Sequence, residues 1–177
     1  MFKVAEHLKE LAERQLKQRA AATGEPARPV TTVKSRGLQG LQFRATVEGH
    51  SFISDEGDHM GGTDAGPAPL RYFLAGIMMC HQVWTVKSAA LLDLPIDRIE
   101  SEIAGYVGAS DPDLPAGFTR MTLMVTIDSP GRAEDVTRVV DEATRRCPAF
   151  VTAARASRVD LTVVHNGATV HEQSYGG

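Results

Sequence analysis

Between positions 67 and 92 the chain reads PAPLRYFLAGIMMCHQVWTVKSAALL, a run in which Arg71, His81, Gln82 and Lys87 are the main departures from apolar or small residues. That pattern predicts a helix sunk into a core rather than laid on a surface. The rest of the chain must then supply elements to cover it. Pro67 and Pro69 suit its first turn, where a missing N–H costs little. At roughly 100° per residue, Phe73, Gly76, Ile77, Trp84, Lys87 and Leu91 fall within about 60° of Cys80, and Arg71 falls on the opposite side. Cys80 lies about three turns in, beyond the reach of the helix dipole, so any activation of its thiol has to come from neighbouring side chains.

The flanking segments predict an α+β domain with an N-terminal appendage. Residues 2–22 are rich in good helix formers and free of Gly and Pro, with Leu8, Leu11 and Leu16 as a narrow stripe for docking on the domain or on a partner chain. Residues 23–28 (TGEPAR) read as a linker, which divides the chain into 1–28 and 29–177. Alternation predicts strands at 29–35, 41–48 and 51–54, with Phe43, Ala45 and Val47 on a buried face and turns at Arg36-Gly37 and Gly49-His50. Residues 55–66 (DEGDHMGGTDAG) form a polar, glycine-rich loop without phosphate-loop spacing. Its Asp55, Asp58, His59 and Asp64, even with His50 or His81, match no metal motif, so no metal is expected.

Beyond the central helix, residues 98–107 and 118–129 predict a paired set of strands, with Ile99, Ile103 and Tyr106 facing the core and an irregularity near Arg120. Residues 132–146 predict a second helix whose stripe, Val136, Val139, Val140 and Ala143, continues into Cys147. Pro148 should break that helix at Cys147. Cys147 would then cap a short helix from Pro148, with orphan N–H groups aimed at its sulfur, a placement that lowers a thiol pKa. A strand at 158–165, an Asn166-Gly167 turn and a pairing segment at 169–173 close the chain.

Composition narrows the function. A formal net charge of -3 over 177 residues gives no electrostatic footprint for nucleic acid or a membrane surface. The mixed charges of MFKVAEHLKELAERQ do not read as a secretory signal, so a cytoplasmic location is expected. There, two cysteines suit catalysis or redox sensing better than a structural bridge. Either one alone on an apolar helix face can be a small hydrophobe. Two on core-facing positions of the main helices suggest a reversible dithiol, because packed helices can bring them within disulfide reach.

Several motifs together carry a family resemblance. Asp55-Glu56, Gly61-Gly62-Thr63, Gly66-Pro67-Ala68-Pro69, the Ala- and Leu-rich helix with Cys80, and the late Cys147-Pro148 make the chain similar to the OsmC/Ohr proteins of osmotic induction and organic hydroperoxide resistance. The likeness spans about residues 30–165. It implies an α+β fold of curved antiparallel sheets around two central helices in an intertwined homodimer, with sites at the subunit interface. It further implies that Cys80 is the peroxidatic cysteine and Cys147 the resolving one, with no bound cofactor and with reduction by an external dithiol such as a lipoylated protein. Peroxidase members of the family carry a Glu after the proline that opens the long helix, paired with an Arg from the preceding strand. Here Leu70 holds the Glu position and residues 50–60 contain no arginine. Lys87, Arg44 or a partner chain's Arg71 are the remaining candidate cations, and His81 is a further candidate.

Two functions are therefore expected to compete. One is a thiol peroxidase acting on small hydroperoxides through Cys80 and Cys147, in a pocket of Leu70, Phe73, Ile77, Met79 and Trp84 that favours organic peroxides. The other is a binding or redox-switch protein that holds an apolar ligand in the same interface pocket.

Overall fold

The computed structural model describes residues 2, 4–24, 29, 31–107, 117–155, 159–165 and 168–175, the last two stretches as backbone alone. In chain order the elements are α1 (Leu8–Ala21), β1 (Lys34–Gly37), β2 (Phe43–Val47), β3 (His50–Ser54), a single 3-10 turn (Asp58–Met60), α2 (Pro69–Leu91), β4 (Arg98–Val107), β5 (Phe118–Asp128), α3 (Ala133–Arg146), α4 (Pro148–Ala154), β6 (Val159–His165) and β7 (Ala168–Tyr175). The strands form three antiparallel sheets, β1-β2-β3, β4-β5 and β6-β7. This is the expected α+β class. The expected 23–28 linker and the Asn166-Gly167 turn lie largely or wholly outside the described residues.

The core is the seam where α2 packs on α3. One cluster joins Trp84 of α2 to Ala143 and Cys147. A second joins Ala89, Ile96 and Val139. Fully burying side chains such as Val139 and Ile77 is worth about 1.5–3 kcal/mol each. Helix α1 lies against α2 of its own chain, with Ala12 buried beneath it. It begins at Leu8 rather than near residue 2, because the N-terminus is drawn away where the Phe2 amide donates to the Asp97 carbonyl at 2.8 Å.

Central helix α2 corrects the first expectation. It is not buried all round. Ile77, His81, Trp84, Thr85, Ser88 and Ala89 are buried. Leu70, Phe73, Met79 and Val83 are each about half exposed, the first two at the N-terminal end of the helix and the last two on the side away from the buried residues. Cys80 stands at the boundary between the two faces and is partly buried. The sequence run is apolar on two faces, but α1, α3, α4 and β4 cover only one of them.

The first meander also departs from its expected register. Its first turn is Leu38–Leu41, not Arg36-Gly37: the Leu38 amide donates to the Gln42 carbonyl at 2.9 Å and the Gln42 amide to the Gln39 carbonyl at 2.8 Å. Its second is the two-residue Glu48-Gly49 turn between paired Val47 and His50, with φ of 49° and 84°. Two left-handed residues are the type I′ geometry that matches strand twist. The Phe43 face is apolar but largely uncovered, with Phe43 47% exposed and Phe52 37% exposed. β4 and β5 pair as expected, and the register shift opposite Tyr106 and Val107 accounts for the irregularity near Arg120. Tyr106 is exposed rather than in the core, with the Arg120 guanidinium 4.1 Å from its ring centre.

Candidate dithiol site

Cys80 reaches the α2–α3 seam from one side and Cys147 from the other. Pro148 disfavours helical ψ at the residue before it, and Cys147 accordingly takes φ -74° and ψ 110°, ending α3 and capping α4. Its sulfur is fully buried against Trp84 and Ala143, with Cys80, Leu16, Ala149 and Phe150 packed around them. Both thiols are free, and Cys80 packs on the cluster that contains Cys147.

The cap forms as expected, with the Phe150 amide donating to Cys147 Sγ at 3.4 Å. Its electrostatic consequence is reversed. Burial pushes the Cys147 thiol up to about 11, the Phe150 amide opposes this, and the neighbouring Cys80 sulfur adds to the rise. A seven-residue helix supplies too little field to offset the loss of water around a fully buried sulfur. Cys147 therefore stays protonated at neutral pH.

The other candidates fall in different places. His81 is buried and committed to structure: its Nε2 is 3.0 Å from Thr144 Oγ1, and its Nδ1 is 3.4 Å from Thr85 Oγ1. Because the Thr144 hydroxyl donates to the Val140 carbonyl at 2.8 Å, it accepts from Nε2–H, the neutral tautomer. Burial pushes the His81 pKa down, in keeping with that form. Lys87 Nζ donates to Gln15 Oε1 at 2.8 Å and sits 5.0 Å from the Trp84 ring centre. Arg44 lies in β2, where its enclosed Nε has no partner among the described residues. Arg71 is exposed on α2.

Asp55 and Glu56 do not act as a charge pair on the thiol. Asp55 is buried and ties the glycine-rich loop, accepting from the Thr63 hydroxyl at 2.8 Å and from the amides of Thr63, Ala65 and Glu56 at 3.0, 3.2 and 2.9 Å. Burial raises its pKa, but the Thr63 hydroxyl and these amides together hold it at about 2. The loop closes so tightly that a Cβ on Gly62 would collide with the Glu56 backbone. Among the described residues no three His, Cys, Asp or Glu side chains group closely enough to hold a metal ion.

The five expected pocket residues do not line one cavity within a chain. Ile77 lines an apolar cavity of about 330 Å³ with Ile103, Met121, Leu123 and Phe150. Met79 lines a separate groove of about 490 Å³ with Phe2, Leu8, Val83 and Ile99. Trp84 belongs to the thiol cluster, Phe73 lies 6.5 Å from the Phe118 ring, and Leu70 is half exposed. Two residues of α1 that the sequence did not assign to the site reach it. Leu16 packs on the cluster, and Arg19 stacks 4.7 Å from the Trp84 ring centre. The weak apolar stripe of α1 held no signal for the second.

Comparison with known proteins places this geometry. A hydroperoxide reductase of Mycoplasma genitalium is 28% identical over 104 residues, which is 56% of this chain and 74% of that protein. An OsmC-like protein from Mycoplasma pneumoniae superposes with a TM-score of 0.63 at 19% identity, covering 73% of this chain and 89% of its own. An organic hydroperoxide resistance protein OsmC from Legionella pneumophila gives 0.55 at 17% identity, with 73% and 92% covered. These two structures share the fold, and no helix among the described residues is long and apolar enough to cross a membrane. Residues 61–162, which contain the second half of the glycine-rich loop, both cysteines and the helices that carry them, match the profile of the OsmC-like proteins, and the chain belongs to that family.

Proposed function

We propose that the protein is a thiol-dependent hydroperoxide reductase that works through Cys80 and Cys147. The observation that carries this reading is the contact of the partly buried Cys80 with a fully buried, protonated Cys147 in one cluster. Cys80, the less buried of the two, is the thiol that a peroxide can approach. The Cys80 thiolate attacks one peroxide oxygen, the O–O bond breaks, and the other oxygen leaves with a proton as the alcohol. Cys80 is then a sulfenic acid. The Cys147 sulfur attacks it, its proton leaves with the hydroxyl as water, and a Cys80–Cys147 disulfide remains. An external dithiol, such as a lipoylated protein, returns the two electrons by exchange. The apolar cavity beside Ile77 and Phe150 favours an organic hydroperoxide over hydrogen peroxide.

A homodimer belongs to the same proposal. The uncovered Leu70, Phe73, Met79 and Val83 side chains of α2 and the bare Phe43 and Phe52 face are what a second subunit would bury, and burial there would gather the dispersed pocket residues. Sedimentation at micromolar concentration should give a dimer; a monomer would refute this part.

The experiment is a thiol titration before and after one equivalent of cumene hydroperoxide, on wild type and Cys80→Ser, followed by non-reducing mass spectrometry. Loss of two thiols as a Cys80–Cys147 disulfide that Cys80→Ser cannot form is the expected result. Thiols that outlast a large excess of peroxide for minutes would overturn it. The competing reading, an apolar-ligand protein with a redox switch, is favoured by Leu70, because no carboxylate stands there to orient an arginine. It predicts those surviving thiols together with ligand density or mass retained in the interface pocket.

A further inference from the structure

We infer that the N-terminal helix α1 is part of the dithiol site, with Arg19 as a positioning residue that sets the charge at the turn carrying Cys147. This deepens the dithiol reading and rests on it for its purpose, although its electrostatic content stands apart.

Helix α1 meets the site at three points. Leu16 packs on the cluster of Trp84, Ala143 and Cys147. Gln15 holds Lys87 by its ammonium. The Arg19 guanidinium lies over the Trp84 ring and donates from Nη1 to the Arg146 carbonyl at 3.2 Å. Arg146 is the last residue of α3, directly before Cys147. One side chain thus links α2, which carries Cys80, to the end of α3, which carries Cys147.

The end of α3 is where a charge matters. The last carbonyls of a helix have no amide partner and present about half a negative charge, which disfavours a thiolate beside them. A guanidinium bonded to one of those carbonyls offsets that field. The other ionisable groups around the cluster have side-chain partners of their own and do not bond the α3 carbonyls. Arg145 and Arg146 both pair with Glu142 on α3. Lys87 is bonded to Gln15, and His81 on α2 is neutral and spent on Thr144. Helix α4, PAFVTAA, carries no titratable side chain. Among the described residues, Arg19 is the cation whose side chain bonds a terminal carbonyl of α3.

The test uses the full chain, reduced, as wild type, Arg19→Lys, Arg19→Gln and Arg19→Ala, with equal helical content checked by circular dichroism. Pulsed iodoacetamide labelling from pH 6 to 10, read at each cysteine by mass spectrometry, gives the ionisation profile of the pair without any peroxide. Neutral Gln and Ala should move its midpoint up by about half a pH unit, slowing labelling about threefold below it, and Lys should restore most of the shift. The difference should shrink in 1 M salt. Profiles that superimpose for wild type and Arg19→Gln would overturn the inference, as would Lys and Ala shifting alike, which would mean lost packing rather than lost charge. Peroxide closure of the disulfide is measured separately. Closure with unshifted profiles would refute Arg19 alone, and shifted profiles without closure would refute the peroxidase reading alone.

Discussion

Replacing Thr144 by Val keeps shape and β-branching but removes the hydroxyl that accepts from His81 Nε2 at 3.0 Å. The Val140 carbonyl that this hydroxyl also bonds retains its helical amide partner, so the loss falls on the ring. His81 is 2% exposed, buried in the α2–α3 seam. An orphaned buried donor costs about 1–3 kcal/mol. Taking about 2 kcal/mol, and about 3 °C per kcal/mol for a chain of this size, the melting temperature should fall by about 6 °C. Thr137→Val is the internal control, because Thr137 makes the same back-bond, to Ala133 at 3.0 Å, on the exposed side of α3 with no ring beyond it. It should change stability by less than about 0.5 kcal/mol. In a His81→Phe background the Thr144→Val cost should largely vanish, leaving a coupling of about 1 kcal/mol or more in a double-mutant cycle by urea denaturation. Equal costs for Thr144→Val and Thr137→Val, or zero coupling, would show that the hydrogen bond does not hold the seam.

The same histidine makes stability depend on pH. Its folded pKa is lowered by burial, so between the folded value and about 6.5 the unfolded chain binds the extra proton; stability is full above about pH 6.5 and erodes below it by up to about 1.4 kcal/mol per pH unit. Thermal melts from pH 7.5 to 5.5 should show that slope in wild type and lose it in His81→Phe. Asp55 acts lower on the scale: with its carboxylate held at about 2, its contribution is complete above about pH 4 and disappears between there and about pH 2. Asp55→Asn should lower the melting temperature at pH 7 and speed proteolysis within residues 55–66, since one of its two accepting oxygens becomes an amide donor facing the Thr63 and Ala65 N–H groups or the Glu56 N–H group. Glu48 sits at φ 49° in the type I′ turn, so Glu48→Asn should stabilise by about 0.5–1 kcal/mol in chemical denaturation, despite the loss of the exposed Thr31 bond.

What could be read in advance followed from local rules. The break at Cys147 needs only the proline after it, and the Asp128 end of β5 and the α3 stripe through Val139 and Ala143 need only periodicity. The meander turns slipped by one or two residues because Gly37 and Gly49 are each a credible turn residue, and the choice lay with pairing: Val47 opposite His50 and Gly37 opposite Phe43. Which apolar residues of α2 are covered was not legible, since Phe73 and Met79 are as apolar as Ile77 and Trp84. Which of them meets solvent depends on where α3 and α4 dock, and α3 is more than forty residues further along the chain.

The two cysteines show the same limit in their chemistry. Placing orphan amides at Cys147 is a local inference and it holds, with Phe150 donating to the sulfur. The sign of the pKa shift is not local. It is decided by Trp84 and Ala143, which remove water from the thiol, and by the neighbouring Cys80, which adds to the rise. A thiol that is buried and protonated is a poor first nucleophile and a well-placed second one, because it is already in contact with the sulfur it must join. If that contact is what matters, Cys147→Ser should preserve the first step and lose the second: one equivalent of peroxide should be consumed, with Cys80 trapped as a sulfenic acid by dimedone and no intramolecular disulfide formed. If Cys147→Ser consumes no peroxide, the buried thiol is needed for the first step as well, and its role is to donate its proton to Cys80 rather than to resolve.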